Sequence, residues 1–159
     1  ESFMKKYLKL FALSLLLIPC LLLASCGTMD VTGKTFTYGS VSVDWGTASE
    51  NDKNALFAEF QVENETELLA VLKTRNNRNG RRTTFGTDGK YTTKNENNEV
   101  LDGGYYKQEE TVITLAETVE GLTAEDAYTL LANEKGYIVT TVLDEEKNIF
   151  AKYQYVEQE

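Results

Sequence analysis

Residues 83–115 read TTFGTDGKYTTKNENNEVLDGGYYKQEETVITL, and this stretch decides the fold class. On both sides of Asp88-Gly89, aromatic residues alternate with threonine and other polar residues. An Asp-Gly pair between two alternating segments is a strong signal for a β-hairpin turn. Gly103-Gly104 opens a second hairpin, whose turn lies at Glu109-Glu110. Two hairpins in direct succession predict an antiparallel meander.

The segments at both ends of the chain continue this β pattern. Residues 34–45 alternate with a period of two, and the phase shifts at Gly39-Ser40, which predicts one long strand with a bulge. Residues 137–143 and 149–156 predict a last hairpin. On its second strand, one face carries four apolar or aromatic residues, Ile149, Ala151, Tyr153 and Tyr155.

Residues 49–74 have a helical period instead. Ser49 with Asp52, and Asn64 with Glu67, are capping pairs of the kind that begins a helix. We therefore expect two short helices with a break near Val62-Asn64. Because neither glycine nor proline interrupts the segment, a single kinked helix is the alternative.

A later segment also carries a helix signal. Thr123 with Asp126 predicts a short helix that runs through Leu130 and Leu131 and ends at Gly136. The predicted fold class is therefore mainly β (α+β). A single domain, residues 34–159, forms an antiparallel meander with a helical insert at about 49–74, after the first strand. Such a meander tends to close into a barrel or half-barrel, because closure removes exposed strand edges.

The hairpin motifs also carry a resemblance to a known family. The pattern Phe85-x-x-Asp88-Gly89-x-Tyr91, then Gly104-x-Tyr106, then Val112-x-x-Leu115, resembles the small lipocalin-like β-barrel domains of bacterial lipoproteins. The resemblance implies a small barrel and, as ligand class, a small apolar or amphipathic molecule. The helical insert departs from the plain lipocalin barrel.

The start of the chain is typical of a targeting segment. Lysines follow Met4, and residues 10–23 are mostly apolar, a length that fits a secretory signal and is too short to span a bilayer. Leu23-Ala24-Ser25-Cys26 resembles the lipobox of bacterial lipoproteins. The resemblance implies that residues 1–25 are removed as a signal peptide and that Cys26 is lipidated. Within the signal peptide, residues 1–3 precede Met4, which we take as the natural start. Acyl chains such as palmitate would then anchor residues 26–33 as a tether to a membrane.

This interpretation makes the protein an extracytoplasmic, membrane-anchored lipoprotein at the cell surface or in the periplasm. The alternatives are a plain secretory signal that is cleaved after Ala24 or Ser25, and an uncleaved membrane anchor. Cleavage before Cys26 removes three lysines and one glutamate, so the net charge changes from −9 to −11. Such an acidic domain is a poor partner for nucleic acid, which requires Lys and Arg to neutralise phosphates.

The composition also argues against most enzyme classes. The chain has no histidine, which excludes Ser-His-Asp, Cys-His and HExxH sites. Neither cofactor nor metal is expected, since the carboxylates of 95–102 and 144–146 do not match the spacing of an EF-hand. We therefore predict that the protein is not an enzyme. A carboxylate-dependent hydrolase, which needs only two acidic side chains in a cleft, is a distant alternative.

The arginines are the first candidate site. The chain has only four, all within eight residues: Arg75, Arg78, Arg81 and Arg82. Guanidinium groups bind phosphate or carboxylate bidentately, and the intervening asparagines favour turns that expose backbone N–H groups. The cluster predicts an anion-binding loop for an envelope component, such as lipid headgroups or a wall polymer. The alternative is a solubilising loop whose cations complement a helix C-terminus.

Aromatic residues are the second candidate site. Strand-borne aromatics can line a pocket that has apolar walls and a few hydroxyl groups. We predict that the ligand is bound by Trp45, Tyr91, Tyr106 and Tyr153; in the alternative, they fill a solid core. The predicted function is a lipid-anchored extracytoplasmic binding module for a small apolar or amphipathic ligand or an envelope component. The main alternative is a structural or interaction lipoprotein with a solid core that contacts another envelope protein.

Overall fold

The computed structural model of the chain describes residues 27–159. The predicted signal peptide, residues 1–25, and the predicted lipidation site Cys26 lie outside the described residues. The described chain forms a closed antiparallel barrel in which each strand pairs with the next and the last pairs with the first. The strands are β1 (Thr35–Asp44), β2 (Arg82–Phe85), β3 (Lys90–Lys94), β4 (Val100–Glu109), β5 (Val112–Ala116), β6 (Tyr128–Asn133), β7 (Gly136–Asp144) and β8 (Ile149–Glu157). The predicted mainly β meander is confirmed, in its fully closed form.

The pairing of β1 with β8 closes the barrel. It runs from Phe36 opposite Glu157 to Asp44 opposite Phe150. The register shifts between Tyr38 and Ser40, so the predicted bulge is confirmed. A bulge adds one residue to its strand and increases the local twist, which lets a long strand bend around a small barrel.

The predicted helical insert is also confirmed, as two separate helices. β1 and β2 are connected by α1 (Glu50–Glu59) and α2 (Glu65–Thr74). The Ser49 hydroxyl accepts the backbone N–H of Asp52 at 3.2 Å, and the Asp52 carboxylate accepts the N–H of Ser49 at 2.8 Å. Asn64 caps α2 through its side-chain oxygen. Each helix thus begins at the cap that the sequence supplies.

The helix predicted through Leu130 and Leu131 is wrong, because this segment is strand β6. Only a 3-10 turn, Glu120–Thr123, precedes it. Leu130 is 5% exposed inside the barrel, whereas Leu131 is 50% exposed on the outer surface. The residues that follow the capping signal at Thr123 alternate with a period of two, which is typical of a strand. Their backbone N–H and C=O groups form hydrogen bonds with β5 and β7 instead of helical ones.

The barrel interior is filled mainly by aromatic side chains. As predicted, the four residues of β8 that share a face are all buried. Phe36 packs edge-on against Phe85, with 5.8 Å between ring centroids. The rings of Tyr137 and Tyr155 stack at 5.2 Å. Side chains therefore fill most of the barrel, as is usual for eight strands.

The two ends of the barrel differ. The N-terminal end carries the β2–β3, β4–β5 and β6–β7 turns, and the chain enters the barrel there. Val31 is fully buried at this end, and its N–H donates to the side-chain oxygen of Gln108 at 3.0 Å. The Met29 N–H donates to the Asn133 carbonyl at 2.9 Å. Residues 29–33, which are part of the predicted tether 26–33, therefore pack against this end of the barrel.

The opposite end, the insert end, carries α1, α2 and the loops that follow odd-numbered strands. Leu68 and Leu72 of α2 are fully buried. The hydroxyl of Tyr153 donates to the Leu72 carbonyl at 2.9 Å, which fixes α2 over one side of this end. The remaining part of the insert end holds the candidate site.

Candidate functional site

A cavity of about 90 Å³ lies inside the barrel at the insert end. Strands β2 to β8 contribute its walls, and the loop after α2 contributes two arginines. Its polar lining is formed by Arg78, Arg81, Thr83, Tyr91, Thr93, Asp102, Tyr128, Tyr137 and Tyr155, and its apolar lining by Leu115, Leu130 and Val139. The cavity has room for a few water molecules or one small molecule, because a single water needs about 10–15 Å³.

The loop after α2 turns sharply, and this turn sends two arginines into the barrel. Its 3-10 segment, Arg75–Gly80, contains Asn76 and Asn77 at φ of 54° and 53°. Asparagine tolerates this left-handed conformation better than most residues do. Asn76 and Asn77 thus act as turn residues, as the sequence predicts.

Arg78 is held by contacts on three sides. Its guanidinium lies over the ring of Tyr153, 4.8 Å from the centroid. One nitrogen donates to the Thr141 hydroxyl at 3.3 Å. The Arg78 carbonyl accepts the hydroxyl of Tyr155 at 3.1 Å. A guanidinium positioned in this way loses little side-chain entropy on binding an anion.

Arg81 lies beside it and is incompletely satisfied. Its Nη2 donates to the Asn76 carbonyl at 2.8 Å. Its Nε is buried without a hydrogen-bond partner, the sole such side-chain atom among residues 27–159. A buried unpaired N–H carries a desolvation cost that a bound acceptor removes.

The other two arginines point away from the cavity. Arg75 is exposed and lies over the ring of Phe60, 5.1 Å from its centroid. Arg82 starts β2 and donates to the side-chain oxygen of Asn98. Of the four arginines predicted to form an anion-binding loop, two, Arg78 and Arg81, thus line the cavity.

No arginine forms an ion pair within residues 27–159, where every ion pair involves a lysine. This is unexpected in a chain whose acidic residues exceed its basic ones, 25 to 16. Charges buried without a partner are costly, and a paired arginine is the common arrangement. The Arg78 and Arg81 guanidinium groups remain available to an anion in the cavity.

Of the four aromatic residues predicted to bind ligand, only Tyr91 lines the cavity. The hydroxyl of Tyr106 donates to the Gly86 carbonyl at 2.7 Å, toward the N-terminal end. Tyr153 is buried beneath Arg78, and Trp45 packs edge-on against Phe57 outside the barrel. These three side chains are packing residues because their rings, and both tyrosine hydroxyls, are already engaged within the fold.

The tyrosines of the cavity remain protonated well above neutral pH. Burial, reinforced by the Asp102 carboxylate, raises the pKa of Tyr91 to about 12. Burial also raises the pKa values of Tyr128, Tyr137 and Tyr155, although Arg78 opposes the effect at each. The hydroxyl groups of Tyr128 and Tyr137 can therefore donate hydrogen bonds to an anion, whereas those of Tyr91 and Tyr155 already donate to Asp102 and to the Arg78 carbonyl.

Several residues of the cavity are not among the predicted ligand contacts. They are Thr83, Thr93, Asp102, Tyr128, Tyr137 and Tyr155. Tyr128 was hidden by the incorrect helix. Tyr137 and Tyr155 alternate inward on their strands, but alternation alone does not tell which inward residue lies at which end of a barrel.

Residues 27–159 contain no group of three or more Cys, Asp or Glu side chains placed to hold a metal ion. Within this part of the chain, no helix combines the length and the apolar character needed to cross a bilayer.

Comparisons with protein-family models, with curated proteins and with solved structures find no match for this chain. Its class is therefore defined by its own fold and cavity. It is a small closed barrel of eight antiparallel strands with an aromatic core, an architecture compatible with a binding module.

Proposed function

We propose that the protein is a lipid-anchored extracytoplasmic binding module that holds a small amphipathic molecule by its anionic group. The observation that carries this proposal is the pair Arg78 and Arg81 on one small cavity, with no carboxylate partner within residues 27–159. Guanidinium groups match carboxylate and phosphate geometry through paired N–H donors. The unpartnered Nε of Arg81 offers one such donor.

The size and walls of the cavity limit the ligand. At about 90 Å³ it is well below the roughly 300–1,000 Å³ of pockets for drug-sized molecules. Leu115, Leu130 and Val139 supply apolar contact, and the protonated hydroxyls of Tyr128 and Tyr137 supply donors. The ligand that fits is a carboxylate or phosphate with a short apolar body.

The proposed use of the barrel is lipocalin-like, with the ligand entering at one end. Connections after odd-numbered strands lie at the insert end, whereas the chain enters the barrel at the N-terminal end. A lipid on Cys26 would therefore hold the N-terminal end toward the bilayer and direct the arginine pair away from it. This orientation favours a soluble ligand or envelope component over the headgroups of the anchoring membrane.

Calorimetric titration of the full chain in detergent with acetate, and separately with inorganic phosphate, tests the anion site. We expect Arg78→Gln and Arg81→Gln each to weaken binding about tenfold or more, the effect of losing one charge-assisted hydrogen bond. Arg75→Gln and Arg82→Gln are matched controls that remove the same charge outside the cavity. Binding of neither anion, or equal losses in all four variants, would contradict the proposal.

Fractionation of the expressing cells tests the anchor separately. Cys26→Ala should release the protein from the membrane fraction, because the proposed acyl chains attach to this thiol. Cys20→Ala, which changes the other cysteine of the chain, should leave the protein in the membrane. Retention of the Cys26→Ala protein in the membrane would exclude the lipid anchor.

A second candidate function is an interaction lipoprotein that contacts another envelope protein. Val112 and Leu131 lie directly opposite each other on β5 and β6, and both are substantially exposed on the outer surface. An exposed apolar pair of this kind favours a protein contact. Cross-linking in intact envelopes should then capture a partner protein. The double variant Val112→Thr, Leu131→Thr should lose this cross-link, and Arg78→Gln should retain it. A cross-link that the double variant retains and Arg78→Gln loses would exclude this candidate.

A further inference from the structure

The cavity carries opposite charges on its two sides. Arg78 and Arg81 lie on the side of the loop after α2, and Asp102 of β4 lies on the wall formed by β3 and β4. The carboxylate and the guanidinium groups do not form an ion pair, since no arginine of residues 27–159 comes within 4.0 Å of a carboxylate oxygen. The two charges are therefore held apart across one small space.

Asp102 is held in place by neutral donors. The hydroxyl of Tyr91 donates to its Oδ2 at 3.1 Å, and the N–H of Gly103 donates to its Oδ1 at 2.8 Å. Each carboxylate oxygen can accept further hydrogen bonds beyond these. Asp102 is thus oriented by two donors that carry no positive charge, and it can still accept a cation.

The two charges shift the pKa values of the cavity tyrosines in opposite directions. The Asp102 and Glu117 carboxylates both raise the pKa of Tyr91. The pKa of Tyr155 responds to Arg78 and Arg81 instead, which lower it against the effect of burial. The pKa of Tyr128 responds to charges of both signs. The hydrogen bonds agree with this, because Tyr91 donates to the Asp102 carboxylate and Tyr155 donates to the carbonyl of Arg78.

We propose that the ligand is a small zwitterion, such as an amino acid with a short body, whose anionic group binds Arg78 and Arg81 and whose ammonium group binds Asp102. This inference rests on the proposed anion site and adds a second recognition element to it. An ammonium group near Asp102 would also lie close to the Tyr91 and Tyr128 rings, which favour cations. The bound zwitterion would complement both charges, so a ligand with either group alone would bind less well.

Matched pairs of probes test this inference on the full chain in detergent. Glycine, β-alanine and 4-aminobutyrate each carry an ammonium group that acetate, propionate and butyrate lack. We expect at least one of the amino acids to bind about tenfold more tightly than its matched carboxylate, a difference of about 1.4 kcal/mol. Asp102→Asn should abolish that preference, so that each amino acid binds no more tightly than its matched carboxylate.

Glu99→Asn is the control, because this carboxylate lies near Asp102 in sequence but outside the cavity lining. If the carboxylates bind through Arg78 and Arg81 and no amino acid binds better, the zwitterion inference is wrong and the anion site stands. If neither series binds, or if Arg78→Gln changes neither affinity, the proposed function fails as well. An amino-acid preference that survives Asp102→Asn would also overturn the inference.

Discussion

Four arginines occupy one short loop, and their side chains take two different roles. Arg78 and Arg81 face the cavity, whereas Arg75 and Arg82 contact Phe60 and Asn98 outside it. The sequence predicts the cluster and its affinity for anions. It does not predict which arginines face the cavity, because this depends on the left-handed conformation of two consecutive asparagines. Asparagine permits that conformation but does not require it.

Tyr153 allows a residue-scale prediction. Its buried hydroxyl donates to the Leu72 carbonyl and ties α2 to the barrel. Tyr153→Phe should lower the free energy of unfolding by about 1–2 kcal/mol, because it leaves that carbonyl without this donor. Chemical denaturation followed by circular dichroism measures the change.

Tyr105→Phe is the matched control for this variant. The Tyr105 ring packs with Lys90, and no hydrogen bond of its hydroxyl occurs within residues 27–159. Its loss should change the free energy of unfolding by less than about 0.5 kcal/mol. Equal effects of the two variants would show that the Tyr153 hydroxyl does not stabilise the contact with α2.

At the scale of elements, the sequence predicts a helix or turn correctly where the turn or cap residues and the side-chain period indicate the same structure. Asp88-Gly89 and the caps at Ser49 and Asn64 all lie where the sequence predicts them. The helix prediction for the segment before Gly136 was wrong because a capping pair precedes residues that alternate inward and outward. Strand pairing in a closed sheet then outweighed the local helix signal, since an unpaired strand position would have left backbone groups of both neighbours unsatisfied.

The capping box of α1 gives a prediction at this scale. Ser49→Ala removes the acceptor for the Asp52 N–H and should destabilise the protein by about 1 kcal/mol. Thr66→Ala, in the first turn of α2, is the control, because no side-chain hydrogen bond of Thr66 occurs in the described chain. Thermal unfolding of both variants measures the difference, and an unchanged melting temperature for Ser49→Ala would show that the cap does not stabilise the fold.

At the scale of the whole molecule, the barrel has one closed end and one polar end. The meander topology alone puts the chain entrance and the helical insert at opposite ends, so this much follows from the predicted strand order. The cavity does not follow from it. Its position depends on the register between eight strands, and a shift of one residue would exchange inward and outward side chains.

The buried tyrosines give a whole-molecule prediction about pH. Burial raises the pKa of Tyr91 from 10.0 to about 12, and the pKa values of Tyr38 and Tyr153 move in the same direction. In the unfolded chain these phenols lose their protons near pH 10, whereas the folded barrel retains them. Their contribution to stability is therefore complete below about pH 10 and is lost as the pH rises toward 12.

Alkaline titration checks this expectation. The phenolate absorbance of these buried tyrosines and the loss of β-sheet circular dichroism should appear together, above the normal titration range of tyrosine. Titration of these phenols near pH 10 with the fold retained would show that the barrel does not bury them.

The most direct test of the central claim, an anion site formed by Arg78 and Arg81, is nuclear magnetic resonance of the arginine Nε–H groups. The chain has only four arginines, so the spectrum of the full chain in detergent contains four such signals, which single Arg→Lys variants assign. During titration with acetate, we predict saturable shifts of the Arg78 and Arg81 signals and little change at Arg75 and Arg82. Four signals that move together in proportion to salt, or that do not move, would contradict the account.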